Sequence, residues 1–361
     1  MRAIHLLTAL LTLLGPVQPA FTSTDLAASK QCGLIFITRW DFELRQQAAF
    51  SVRPNGDDVR RLTSWSKRTG AVAISPDATF MIGVRYDRPT DTFSVVRASS
   101  EEGKWKQLTP EDGASYGDPQ ISPSSRYLAY NRSEGTNDSN LYVMDLRSRE
   151  RWLVKEGARS ARWTSSDERL IFSAPTGELL DRNFELFTGG RNGSSLVQLT
   201  HTPEDDELAG GVFSPDGDSI LFERYPQGQV NEYDGPYADI WSMDAEGGQQ
   251  KQLTDRQDHY NGVAEPRWSP DGSRISFEFV ADGFKAALTA QPDGEDAELI
   301  TEVGDGFSGN LYFSPDARKV LLTVQRNSRQ DLLMARADGT RERWFVDSKR
   351  YEDSVLGWPA C

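Results

Sequence analysis

The sequence is poor in the residues that most often carry catalysis. Its 361 residues include two cysteines and three histidines. With one cysteine near each end of the chain, no Cys–His cluster of the zinc type can be assembled, so no metal and no cofactor is expected. The acidic segment Glu204-Asp205-Asp206 lacks the ligand spacing of an EF-hand loop and reads as solvated. Positive charge is short as well: 40 Lys and Arg face 54 Asp and Glu, a formal net charge of −14. Phosphate backbones demand a basic face, so nucleic acid is excluded as a partner. Long apolar runs are absent too. Residues 6–14, behind Met1 and Arg2, form the one membrane-like stretch, and it is too short to span a bilayer. Followed by Gly15 and Pro16, it reads as the apolar region of a secretory signal. The expectation is a signal peptide over residues 1–20, cleaved between 20 and 28. The product is then secreted or periplasmic, with no membrane insertion after signal removal.

What is present is a repeat. An apolar stretch, a Ser-Pro-Asp turn or a variant of it, and a second apolar stretch recur along the chain. The first turn residues are Ser75, Ser122, Thr164, Ser214, Ser269 and Ser314, at intervals of 42 to 55 residues. Ser-Pro-Asp-Gly suits a type I turn, with Ser at the first position and φ of the second preset by Pro. The flanks are short and β-branched or aromatic, as hairpin strands are. Each repeat adds a third strand, as in residues 140–146, 239–245 and 331–337, and a fourth that usually ends in Leu-Thr, as in residues 106–109, 197–200 and 251–254. Little room is left for helices. A four-stranded unit at this period predicts a β-propeller.

The termini predict a seventh blade. Residues 34–38, 50–53 and 59–63 read as its second, third and fourth strands, and residues 354–358 as its first. Joining them closes the ring and removes two exposed sheet edges. In this register Trp358-Pro359-Ala360-Cys361 falls where Trp268-Ser269-Pro270-Asp271 falls in a complete repeat, and Cys32 falls about where Ser273 does. A Cys32–Cys361 disulfide would then replace the missing turn, as an oxidising compartment favours. The expected architecture is all-β: a seven-bladed β-propeller of four-stranded antiparallel blades, the last closed by strands from both termini, forming one domain over residues 32–361.

The phrase W-S-P-D-G-x-x-I-x-F at residues 268–277 resembles the WD40-like repeat of the TolB family. The resemblance implies a propeller acting as a platform for a partner in the envelope or outside it. Similar propellers also occur in some peptidases and polysaccharide lyases. TolB proteins carry a separate α/β domain before the propeller, whereas strands here begin directly after Cys32, so a Tol–Pal role is not implied.

Candidate chemistry is sparse. Gly113-Ala114-Ser115-Tyr116-Gly117 matches G-x-S-x-G, but a nucleophile elbow needs a strand-to-helix turn, and this segment lies between two blades. The sequons at Asn131, Asn137 and Asn192 are glycan acceptors only in a eukaryotic secretory pathway. One sector stands out. The fourth repeat has a long loop between its second and third strands, residues 224–238, holding Tyr225, Tyr233, Asp234 and Tyr237. His201 and His259 lie in the flanking inter-blade loops, the latter beside Tyr260. In a propeller, such loops share one face, and aromatics and acids on a rigid rim suit recognition. The expected function is a monomeric binding scaffold that takes a protein or glycan through Tyr225, Tyr233, Asp234, Tyr237, His259 and Tyr260. The alternative is a polysaccharide lyase acting by β-elimination, with His201, His259, Tyr233 and Arg224 as candidate catalytic groups; Arg267 is a second cation for a substrate carboxylate.

Overall fold

The computed structural model describes residues 33–101, 103–135, 139–176, 183–202, 206–226, 230–231, 235–236, 238–255, 261–281, 284–303, 307–326, 329–346 and 350–360. Among these residues there is no helix, and seven antiparallel sheets of four strands follow one another as blades. In chain order the blades occupy residues 69–107, 115–155, 159–198, 206–252, 261–303 and 307–346. The seventh combines the inner strand Tyr351–Gly357 with Ile35–Asp41, Gln46–Val52 and Arg60–Arg61.

The repeat phrase folds as its chemistry predicts. The turn Ser214-Pro215-Asp216-Gly217 of the fourth blade is typical. Gly217 N–H donates to Ser214 O at 2.9 Å. Ser214 Oγ accepts from Ser219 N–H at 3.0 Å while donating to Asp216 at 2.5 Å. The same seryl oxygen accepts from the residue five positions on at Ser122, Ser269 and Ser314. Leu-Thr has an equally local cause. The hydroxyls of Thr63, Thr109, Thr200 and Thr254 accept the third-strand N–H groups of Ala49, Val95, Leu186 and Ile240 at 2.9–3.1 Å. This fixes the short outer strand to its neighbour.

Second strands such as Phe80–Asp87 begin with an unbroken buried run, because each blade is covered by another on both faces. The apolar core is therefore a circle of seams rather than one centre. Phe80, Ile82 and Val95 of the first blade meet Tyr116, Leu128 and Tyr130 of the second. Phe36 and Ala49 of the seventh meet Ala71 and Met81 of the first. Indoles stitch some seams: Trp163 Nε1 donates to Gln120 O at 2.9 Å and Trp268 Nε1 to Val212 O at 3.3 Å, each to the preceding blade. A further device leaves no mark in the repeat phrase. In every blade but the second, a glycine of the third-to-fourth-strand turn lies against a backbone carbonyl of the preceding blade; at Gly247 (φ 91°) a Cβ would sit 2.2 Å from Leu199 O.

The closing blade has the predicted strand order, and its two chain ends are locked by charge. Arg39 donates to both carboxylate oxygens of Asp353, at 2.7 and 2.8 Å, with both side chains buried. The Arg39 guanidinium also lies 5.0 Å from the Phe50 ring centre and 4.7 Å from that of Tyr351. Arg350 pairs with Asp41 at 2.8 Å. Cys32 and Cys361 lie outside the described residues, as does the expected signal peptide.

Candidate functional site

Each inner strand starts on the face that carries the second-to-third-strand and inter-blade loops. Several of these strands are bulged there, and Asp118, Ser160, Gly210 and Glu265, each four positions before its turn residue, have φ of 44–67°. Each bulge interrupts the ladder and increases the local twist of the inner strand.

In the fourth blade the second strand runs on to Pro226, and the long loop carries a small two-stranded sheet pairing Val230 with Pro236 and Asn231 with Gly235. Arg224 donates through Nε to Asp206 at 2.6 Å and lies 4.7 Å from the Trp241 ring. Tyr225 belongs to a buried polar cluster: its hydroxyl donates to Glu223 Oε2 at 2.6 Å, and Glu265 N–H donates to Glu223 Oε1 at 2.6 Å. Burial pushes the Glu223 carboxyl up, against the two donors. Burial, with Glu223 alongside, pushes the Tyr225 hydroxyl up as well. Tyr225 is thus a neutral hydrogen-bond donor already in use. His201 is exposed, with Nδ1 3.1 Å from Gln198 Nε2. Arg267 pairs with Glu265 at 3.4 Å and lies 5.3 Å from the Tyr312 ring centre. Tyr233, Asp234, Tyr237, His259 and Tyr260 lie outside the described residues. Of the others, Arg224 is set with Asp206 and Trp241, and Tyr225, the next residue of the same strand and so on the opposite face of the blade, with Glu223 and the Glu265 N–H, while His201 contacts Gln198.

A second feature of the same face was not singled out in the sequence. A cleft of about 510 Å³ opens over the second blade, between the first and third, lined among others by Phe93, Tyr116, Gly117, Asn131 and Arg159. It takes in Ser115, Tyr116 and Gly117, the last three residues of the G-x-S-x-G segment. Ser115 starts a strand instead of an elbow, and its Oγ accepts from Phe93 N–H at 3.3 Å. The sequon residue Asn131 is buried in a strand, out of reach of a glycosylating enzyme in the folded protein. Arg159 lies 3.5 Å from the Phe184 ring centre and pairs with Glu207; burial lowers its pKa. The signal that pointed here was the Gly113–Gly117 match itself, for a reason unrelated to its regular expression.

Among the described residues no group of three or more His, Cys, Asp or Glu is placed to hold a metal ion, and no helix is long and apolar enough to cross a membrane.

The family model for the TolB beta propeller domain matches residues 111–350. Among curated proteins, a dipeptidyl-peptidase 5 of Porphyromonas endodontalis is 28% identical over 118 residues, which is 32% of this chain and 16% of that protein. The chain thus matches about a sixth of that relative's length. Among solved structures, the β-propeller domain of the Trilobed protease from Pyrococcus furiosus, described as having an open velcro topology, superposes with a TM-score of 0.63 at 14% identity, covering 88% of this chain and 93% of that one. An oligogalacturonate lyase in complex with manganese gives 0.59 at 14% identity, covering 86% and 84%. At these identities the likeness is one of fold.

Proposed function

The chain belongs to the TolB β-propeller family, and from that premise we propose that it is an exported, monomeric scaffold that binds a protein or glycan partner on the face bearing the fourth-blade loop. The observation that supports this is the rim of that face, where Arg224 is held between Asp206 and Trp241 and Arg159 against Phe184. Charged and aromatic groups pre-positioned on strand ends lose little entropy on binding. The test is capture from envelope or culture extract with wild type and with a Tyr233→Ala, Tyr237→Ala, His259→Ala variant. A partner kept by wild type and lost by the folded variant is the expected result; equal capture by both rejects this sector.

The lyase alternative uses the same face. It would require Arg224 to leave Asp206 to meet a substrate carboxylate, and release of unsaturated products from a uronate polymer is its assay. Export also keeps the Cys32–Cys361 bridge within the proposal. Phe36 pairs with Gly357, and each cysteine stands four residues outward from that pair.

A further inference from the structure

We infer that a basic cleft on the opposite face of the ring, at the seam between the first and second blades, binds a small phosphate-bearing ligand; this goes beyond the reading of the loop face and does not depend on it. The cleft, about 730 Å³, opens where the Ser-Pro-Asp turns and the third-to-fourth-strand turns lie. Arg97, Lys104 and Lys106 of the first blade and Arg149 of the second line it, and its other described lining residues are uncharged. In a protein of net charge −14, four cations meet here with no acid among them. Lys104, Lys106 and Arg149 are exposed and Arg97 is half-buried, so a ligand can reach them.

The acids nearby are engaged or placed elsewhere. Asp77 attracts Arg97 without pairing with it, its Oδ1 accepting from the N–H and the hydroxyl of Thr79 at 3.1 and 2.8 Å. Asp145, in the same turn as Arg149, is paired with Arg126 at 2.8 Å. Glu101 and Glu150 line the clefts of the neighbouring seams. Among the described residues no carboxylate pairs with any of the four cations. Arg97 is instead stacked 3.8 Å from the Phe80 ring centre, which holds it in place. Burial, with the Arg149 charge beside it, pushes its pKa down, a cost that a bound anion would relieve. Arg149 carries a cost of its own. The third-to-fourth-strand turn of every other blade has a glycine, whereas this one holds Arg149 at φ 65°, in the left-handed region that side chains disfavour.

Charge and size select the ligand. Four cations without carboxylate partners call for more than one negative charge, and a phosphate monoester carries about −1.5 to −2 near neutral pH with three acceptor oxygens. Guanidinium forks match those oxygens. Ser99 Oγ, which accepts from Glu101 N–H at 3.1 Å, keeps its proton to donate. The volume suits a small phosphorylated molecule better than a bare ion. The net charge of the whole molecule repels a nucleic-acid backbone or an anionic membrane.

Calorimetry at low salt tests this with pyrophosphate and phenyl phosphate as probes and succinate as a dianion of carboxylates; vesicles containing phosphatidic acid are tested by cosedimentation. Lys104→Glu with Lys106→Glu reverses two exposed charges, and Arg97→Gln removes the stacked cation. Lys67→Glu with Arg68→Glu makes the same change in net charge at exposed positions on the loop face. At least one phosphate probe should bind wild type more tightly than succinate does. The lysine pair and Arg97→Gln should each weaken it about tenfold or more, and the loop-face pair should leave it unchanged, while circular dichroism shows the variants folded. Should Arg97→Gln fail to fold, the lysine pair decides alone. No binding of either phosphate probe, succinate binding as tightly, or sedimentation with vesicles in the absence of probe binding overturns the inference. Binding indifferent to the lysine pair, or weakened equally by the loop-face pair, overturns it as well.

Discussion

Glu223 is held in a position that makes it pH-sensitive. Burial raises its pKa, so between the ordinary carboxylate value and the raised one the folded protein binds more protons than the unfolded chain. Stability therefore falls as pH rises through that window and levels off above it. Glu223→Gln should flatten the slope, read as urea midpoints from pH 4 upward; an unchanged slope would assign it to other groups. Tyr225→Phe removes a donor to the carboxylate and should extend the window upward. Tyr225 was selectable from sequence as an aromatic near a long loop. Its engagement with Glu223 was not, because that depends on Glu265 N–H arriving from the next blade. Asn131 was visible only as a sequon, since burial is a property of the packed blades.

At the scale of elements, turns decide how blades dock. Gly247→Ala introduces a left-handed alanine and an overlap with Leu199 O, so it should cost about 2–4 kcal/mol. Gly113, also at positive φ (82°), has open space around its missing Cβ, and Gly113→Ala should cost about 1 kcal/mol. Denaturation of the two variants separates the close approach from the backbone preference. Within the closing blade, Arg39→Ala strands Asp353, whose carboxyl burial already pushes upward. A loss of about 3–5 kcal/mol is expected, and replacing both partners with apolar residues should recover much of it. A double-mutant cycle provides the check. The Ser-Pro-Asp turns and Leu-Thr ends were legible because their hydrogen bonds are local. The turn glycines were not, because the carbonyl each one meets belongs to a different repeat.

For the whole molecule, periodicity made the ring readable before any contact was known, and the seventh blade followed from what each terminus lacked. Its pairing of Phe36 with Gly357 is the last link. If the protein is exported as proposed, its intact mass should show loss of two hydrogens relative to the dithiol, and its digest a peptide joining Cys32 to Cys361; free thiols at both positions would reject the bridge. In the chain-entropy picture reduction then costs up to about 6 kcal/mol. The geometry of that last pair also has a mechanical side. Ile35–Asp41 and Tyr351–Gly357 run antiparallel with their outward ends side by side. A pull applied to the two ends of the chain would open this ladder one rung at a time, the weakest way to load a sheet. A covalent link just outside the first rung would carry the tension itself, leaving the propeller slack under any force that reaches it through its ends.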